Sequence, residues 1–439
     1  MIQQTSTGVD LPRGLAVRGG RPLRGTVAVD GSKNAALPLV AAAAAIGRPV
    51  TLTNVPMSSD VGKLVRLIHA TGARVVLDGH KALHVIPDLD HAAEADRALA
   101  ASIRASYYLA PALLASGRAE LPWPGGCNVG DRGMELHFMV YEAFGDRVHT
   151  CEAGYQITAS PLQRRTPVEI KLPFPSRGTT VVALLRAVVA GRPLLLHRPN
   201  TSPEVAGLVK ALAQAGHEVS YLPDDVLSFQ PGNGCPATWC VPGDKIEAGT
   251  LLCALAATGG HGRVSGVNPT HMSPLLDLLD DLGFPITITN DGVELSAPPT
   301  LTGTSIYADA SLNSLSSPEC LDADFEPPLI ALALTLAGRS HTFIDEINPG
   351  RHANLLPQLR RLGAVITEVS STSCELNGPQ RLAGASVEAI DIRTGSALLI
   401  AALTAAGTTE LAGLTQLQRG HADLPGKLHA LGADIITLV

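Results

Sequence analysis

The sequence predicts an α/β protein of two domains, each assembled from three copies of one strand–helix–strand–helix unit. Two observations carry this prediction. A stretch with helical apolar spacing, a glycine and then a β-rich run recurs six times. Between these copies a second, more apolar stretch recurs six times and also stops at a glycine. At 439 residues the chain is besides too long for one ordinary core.

The amphipathic copies turn at Gly72, Gly145, Gly216, Gly283, Gly363 and Gly432, in segments such as LVRLIHATGARVVL and LLPQLRRLGAVITEV. The intervals between these glycines are 73, 71, 67, 80 and 69 residues, too even for chance. Each copy reads as a helix with a 3.6-residue apolar period, a glycine C-cap and a following strand. The more apolar stretches are 34–46, 104–116, 180–190, 249–258, 328–337 and 396–406, followed by Gly47, Gly117, Gly191, Gly259, Gly338 and Gly407. A helix apolar on nearly every face must be surrounded by protein, so one helix of each pair is expected to be buried. The polar, Pro/Gly-rich stretch 222–243 is the best linker candidate between the third and fourth units. Strands at 15–18 and 435–439 would share a domain if that domain is discontinuous.

Composition narrows the function. Apolar residues make up 45% and charged residues 17%, as in a compact globular protein. Aromatics at 3% are too scarce for a base-stacking platform, and a net charge of −7 offers no basic footprint for nucleic acid. The longest apolar run, 35–46, has 12 residues and contains Pro38, too short to cross a bilayer. The polar start, 1–10, has no apolar signal core, so a soluble cytoplasmic protein is expected. Seven scattered cysteines, with only Cys235 and Cys240 close together, predict neither a disulfide framework nor a zinc site.

With so few charges, their placement carries information. Polar or charged residues precede the buried helix of nearly every unit: Lys33–Asn34, Arg104, Ser176–Arg177–Gly178, Lys245 with Glu247, Asp324, and Asp391 with Arg393. Arg351 and Arg419 open two amphipathic helices. Helix N-termini present unpaired N–H groups that favour anions, and an adjoining cation concentrates that preference. Capping or solvated surface charge explains any one of these residues. Recurrence across six units favours one multi-cation anion site at a domain interface. Cys127, in the glycine-rich loop LPWPGGCNVGDRG with Arg132 five residues on, has no apolar periodicity to be buried with. That is the setting of a reactive, low-pKa thiol.

The motifs GSKNAALPLVAA, PGGCNVGDR, DKIEAGT, DIRTGSA and QRG, in this order, resemble those of the UDP-N-acetylglucosamine enolpyruvyl transferase family. The similarity runs from Arg18 to Val439. It implies two inside-out α/β barrels of three units each, with domains at 33–242 and at 1–32 joined to 243–439, hinged near Lys33 and Lys245. It implies phosphoenolpyruvate and a uridine nucleotide as ligands, with no cofactor, metal, membrane or protein partner. Carried over, Cys127 would take part in proton delivery to C3 of phosphoenolpyruvate and Asp324 would deprotonate the acceptor hydroxyl. Lys33, Arg132 and Arg419, with Arg104 nearby, would hold the phosphate, and Arg351 and Arg393 the carboxylate. Asn34, Arg132, Glu135, Leu136, Ser176, Arg177, Gly178, Asp324 and Ile347 would face the acceptor.

The acceptor side departs from that family's pattern. Thr201-Ser202-Pro203-Glu204 stands for Arg-Glu-Pro-Glu, Leu321-Asp322-Ala323 for Phe-Pro-Thr, and Asn348-Pro349-Gly350 for Phe-Glu-Asn. Gln418 replaces an acidic residue and His421 a tyrosine. Gly133-Met134-Glu135-Leu136 stands for Pro-Val-Asp-Leu, Arg177 for a small apolar residue, and Trp123-Pro124 lengthens the cysteine loop. The shikimate-pathway relatives share the fold, but their Gly-Asn-Ala-Gly-Thr signature is absent. These departures point to a specialised paralogue whose acceptor is a simpler nucleotide such as UMP, of the nucleoside-antibiotic type. UDP-N-acetylglucosamine is the alternative acceptor, and a catalytically inactive nucleotide-binding regulator the alternative of another class.

Overall fold

The computed structural model describes residues 14–79, 81–87, 94–126, 133–160, 166–298, 305–312, 314 and 320–438. Among the described residues fourteen α-helices run in chain order. They are α1 (Lys33–Ala45), α2 (Ser59–Leu67), α3 (Arg97–Ala101), α4 (Ala110–Leu113), α5 (Glu135–Phe144), α6 (Arg177–Ala190) and α7 (Pro203–Gln214). Then follow α8 (Lys245–Ala257), α9 (Ser273–Asp281), α10 (Glu326–Ala333), α11 (Arg351–Arg361), α12 (Ile392–Thr404), α13 (Leu414–Leu417) and α14 (Leu424–Ala430).

The two helix classes form as the periodicity predicts. Amphipathic α2, α5, α7, α9, α11 and α14 each lead to the expected glycine, and all six of those glycines have positive φ. Only a residue without Cβ adopts that cap without strain. The apolar helices are buried almost throughout: in α12 every residue from Ile392 to Leu403 is buried. The second apolar stretch differs from expectation. It is 3₁₀ over Arg104–Leu109, α over Ala110–Leu113 and 3₁₀ again over Leu114–Ser116. Pro111 lacks an N–H and crowds the carbonyl four residues back, so the run tightens; the Ala110 N–H bonds to Tyr107 O.

Among the described residues six small sheets lie outside the buried helices, five of four strands and one of three. Buried hydrophobic residues fall into two clusters, one drawn from 35–241 and the other from 15–29 and 246–433. In the second, α8, α10 and α12 pack on one another; in the first, α1, α4 and α6 do. Gly14–Arg18 sits between Thr408–Ala412 and Asp434–Leu438, which ties the start of the chain to its end. The stretch 222–243 is not an open linker. It carries the strands Val226–Gln230 and Ala237–Cys240, and the latter pairs in parallel with Val50–Thr53. Pro231, Gly232, Gly234 and Pro236 fall in the turn between them. The chain crosses between the two cores at residues 31 and 243, where Gly31 and Gly243 form an isolated antiparallel bridge. A Cβ on Gly31 would lie 2.0 Å from Asn54 O, so the close approach requires glycine there. No helix among the described residues is long and apolar enough to cross a membrane.

Candidate functional site

The starts of the buried helices converge on one cleft of about 1330 Å³ between the two cores. Four of the six starts are capped by their own sequence. Ser32 accepts from Ala35 N, Ser176 from Thr179 N, Asp244 from Ile246 N and Asp391 from Arg393 N. The caps satisfy orphan N–H groups, leaving the first-turn side chains to face the cleft. Lys33, Asn34, Arg104, Glu135, Leu136, Ser176, Arg177, Gly178, Asp324, Ile347, Arg351, Arg393 and Arg419 all line it. Cys127 and Arg132 lie outside the described residues. Gly126, the last described residue before them, has positive φ, and a Cβ there would lie 3.1 Å from Arg104 Cβ and 3.5 Å from Arg419 Nη2.

Asp324 is the centre of the charge network. It follows Asp322, whose Oδ1 accepts from the Asp324 N–H at 3.1 Å and caps the 3₁₀ turn Ala323–Phe325. Its Oδ1 accepts from Arg351 Nη2 at 2.9 Å, and its Oδ2 from Arg393 Nη2 at 2.8 Å and from Asn34 Nδ2 at 3.4 Å. Burial disfavours the charge, but Arg393 and Arg351 outweigh it and hold the carboxyl well below the usual carboxylate range. Both arginines are anchored from behind. Arg351 Nη1 donates to Asp345 Oδ2 at 2.8 Å and to Ala323 O at 2.6 Å; Arg393 Nη1 donates to His421 Nε2 at 3.1 Å.

Three ion pairs span the cleft. Arg419 Nε donates to Asp60 Oδ1 at 3.0 Å. Arg177 Nη2 donates to Asp322 Oδ2 at 3.0 Å, and Lys245 Nζ lies 3.3 Å from Glu204 Oε1. Within each side, Lys245 Nζ also lies 2.9 Å from Asp322 Oδ2 and Arg177 Nη2 lies 3.7 Å from Glu204 Oε2. Two cations and two carboxylates thus form one balanced cluster. Burial opposes ionisation of Asp322, but Lys245 and Arg177 prevail and hold it low. Arg177, expected from the sequence as part of a multi-cation anion site facing the acceptor, is therefore matched by carboxylates already. Arg104 Nη2 donates to Gly133 O at 3.3 Å and its guanidinium lies 6.0 Å from the Tyr107 ring centre.

Sequence reasoning missed several residues of this cleft. Asp60, Asp322 and Asp345 are the partners that fix the predicted cations. His137 lines the wall, edge-on to Tyr107 at 4.5 Å, with neither ring nitrogen hydrogen-bonded. Burial, reinforced by Arg104, pushes it down to about 3, so the ring is neutral. Its position one turn into a helix that begins at Glu135 was the only signal available.

The profile of the EPSP synthase (3-phosphoshikimate 1-carboxyvinyltransferase) family matches residues 17–428. The UDP-N-acetylglucosamine 1-carboxyvinyltransferase of Chlorobaculum parvum is 35% identical over 424 residues, 96% of this chain and 97% of that protein. The enzyme of the same name from Chloroherpeton thalassium is 34% identical over 433 residues, 96% of each. Among solved structures, the enolpyruvyl transferase NikO from Streptomyces tendae aligns with a TM-score of 0.81 at 24% identity, over 97% of this chain and 99% of that one. EPSP synthase from Acinetobacter baumannii aligns with a TM-score of 0.75 at 17% identity, over 97% and 100%. At those identities the two structures speak to fold alone, and the fold is that of the enolpyruvyl transferases.

Proposed function

Because the chain belongs to the EPSP synthase family and is an enolpyruvyl transferase, we propose that it moves the carboxyvinyl group of phosphoenolpyruvate to a ribose hydroxyl of UMP or a close relative. The observation that carries the chemistry is Asp324 held between Arg351 and Arg393 in a cleft that also receives Lys33, Arg104 and Arg419. A substrate with up to three negative charges needs such preorganised cations. Its carboxylate competes with Asp324 for the two arginines. As it draws them away, Asp324 loses the interactions that suppress its basicity and can accept the proton of the acceptor hydroxyl. The hydroxyl oxygen bonds to C2 while C3 takes a proton, a step in which we assign Cys127. The resulting ketal loses phosphate from C2 and a proton from C3, which restores the carbon–carbon double bond. In this reading two lobes, 33–242 and 1–32 with 243–439, close on the substrates about the crossing at Gly31 and Gly243; their separate cores support it.

The acceptor rests on Arg177. A phosphate reaches it by competing with Asp322 and Glu204, and a terminal dianion does so better than the singly charged internal phosphates of a diphospho-sugar. The Ser176 cap and Gly178 at the start of α6 add backbone N–H groups on the same side. A second reading, UDP-N-acetylglucosamine as acceptor, is favoured by the names of relatives at 34–35% identity. Phosphate release measured with UMP and with UDP-N-acetylglucosamine separates the two. Turnover of UMP, reduced more by Arg177→Val than any turnover of the nucleotide-sugar, is the expected result. Efficient turnover of the nucleotide-sugar with none of UMP would overturn it.

A further inference from the structure

His421 is buried completely, yet it stands in the middle of the charge network. Its Nε2 lies 3.1 Å from Arg393 Nη1 and 3.3 Å from Ser396 Oγ. Its Nδ1 faces Glu247 Oε1 at 3.8 Å, and neither of those two atoms has a hydrogen-bond partner. The other oxygen of Glu247 is taken by Asp30 N at 2.9 Å and by Lys427 Nζ. A guanidinium has donors and no acceptor. Contact with Arg393 is therefore attractive only when Nε2 carries the lone pair, which leaves the proton on Nδ1, directed at the Glu247 carboxylate.

Resting on the proposed role of Arg393 toward the substrate carboxylate, we propose that His421 is a positioning residue for that carboxylate: as a neutral acceptor it fixes Arg393, through Nη1, so that Nη2 is presented to the cleft. One face of the guanidinium fork is thereby held by protein, and the other is left to exchange between Asp324 and the substrate. Fixing one edge of the fork limits the side-chain freedom that substrate would otherwise have to remove on binding. The Glu247 carboxylate, 3.8 Å from Nδ1, favours by its charge the tautomer that carries the proton there.

The decisive comparison is His421→Phe against His421→Gln. Phenylalanine fills the buried space but offers no acceptor, whereas glutamine is the poorer filler but presents an oxygen to Arg393 and an amide N–H to Glu247. The affinity of the full-length enzyme for phosphoenolpyruvate is read as KM in the phosphate-release assay and as Kd by calorimetry. The calorimetric arm needs no acceptor, so it stands apart from the identity of the nucleotide. The expected result is a tenfold or greater weakening in His421→Phe, a smaller effect on kcat, and recovery to within about threefold of the parent in His421→Gln. Phenylalanine binding phosphoenolpyruvate as well as the parent, or glutamine being the worse of the two, would assign His421 to packing and overturn the proposal. Circular dichroism of both variants separates either outcome from unfolding.

Discussion

Arg393→Gln tests whether Asp324 is a base restrained by its own cations. Glutamine keeps an amide donor and loses the charge. In the parent, Arg393 supplies one of the two cationic contacts to Asp324, at 2.8 Å, and Arg351 the other, at 2.9 Å. A hydrogen bond to a charged group contributes about 1.5–3 kcal/mol. Losing the same contact to the substrate carboxylate should lower kcat/KM for phosphoenolpyruvate about 10- to 150-fold, at 1.36 kcal/mol per tenfold. The pH profile adds a second reading. Asp324 must be ionised to accept a proton, and Arg393 and Arg351, working against burial, hold its carboxyl well below the usual range. The acid limb of kcat/KM set by this group therefore lies low in the parent and moves upward in the variant. Ionisation of the substrate phosphate near about pH 6 is common to both enzymes and cancels in the comparison. A folded variant with kcat/KM within twofold of the parent, and an acid limb that does not rise, would refute the argument.

Asp322→Ala removes both the cap on the Asp324 turn and the carboxylate shared by Arg177 and Lys245. Turnover should fall at least tenfold, with Asp322→Asn, which retains a capping oxygen, less affected; equal effects would mean that capping plays no part. Arg186→Ala strands Asp146, whose fully buried carboxylate is held by Arg186 Nε at 2.6 Å and Nη2 at 2.8 Å. Stability in urea should drop by roughly 3–5 kcal/mol, the usual cost of breaking such a buried pair; a loss under about 1 kcal/mol would class the pair with exposed ones. A fosfomycin-type epoxide should alkylate Cys127 in the presence of acceptor, not the exposed Cys151, Cys235 or Cys240. Peptide mass spectrometry showing the label elsewhere would remove Cys127 from the mechanism, and Cys127→Asp should keep part of the turnover.

What could be read from the sequence was local. The repeated helical stretches announce themselves by apolar spacing and, in eleven of the twelve copies, a following glycine of positive φ, because a helix period and a left-handed cap are properties of neighbouring residues. Most of the cations followed from the same logic, since a residue at a helix start faces what the helix start faces; Arg419 differs from expectation, lying in the turn between α13 and α14 and not at the start of α14. The errors came where a distant partner decides. Residues 222–243 read as a linker because their turn chemistry is local, while the pairing of Ala237–Cys240 with Val50–Thr53 is not. Asp60 lies 359 positions from Arg419 and carries no pattern that would name its partner. Arg177 read as an uncompensated charge for the same reason: Asp322 is remote in sequence and adjacent in space.

Those remote carboxylates change what the cations can do. A ring of unopposed arginines would repel itself and hold any anion indiscriminately. Here Arg177, Arg351, Arg393 and Arg419 each meet a carboxylate at 3.0 Å or less. Two of those carboxylates, Asp60 and Asp322, meet their arginine from the opposite core. An incoming anion therefore gains only the difference between its own interaction and the one it displaces, which disfavours weak or misplaced ligands. Displacement also changes the protein: an anion that takes Arg351 and Arg393 leaves Asp324 a stronger base, and one that takes Arg419 loosens its hold on Asp60. In the proposed mechanism, binding of substrate and preparation of the reacting groups are then one event, because the same side chains would serve both. A sheltered cleft with unpaired cations would bind phosphoenolpyruvate more tightly and leave Asp324 no reason to change its proton affinity when substrate arrives.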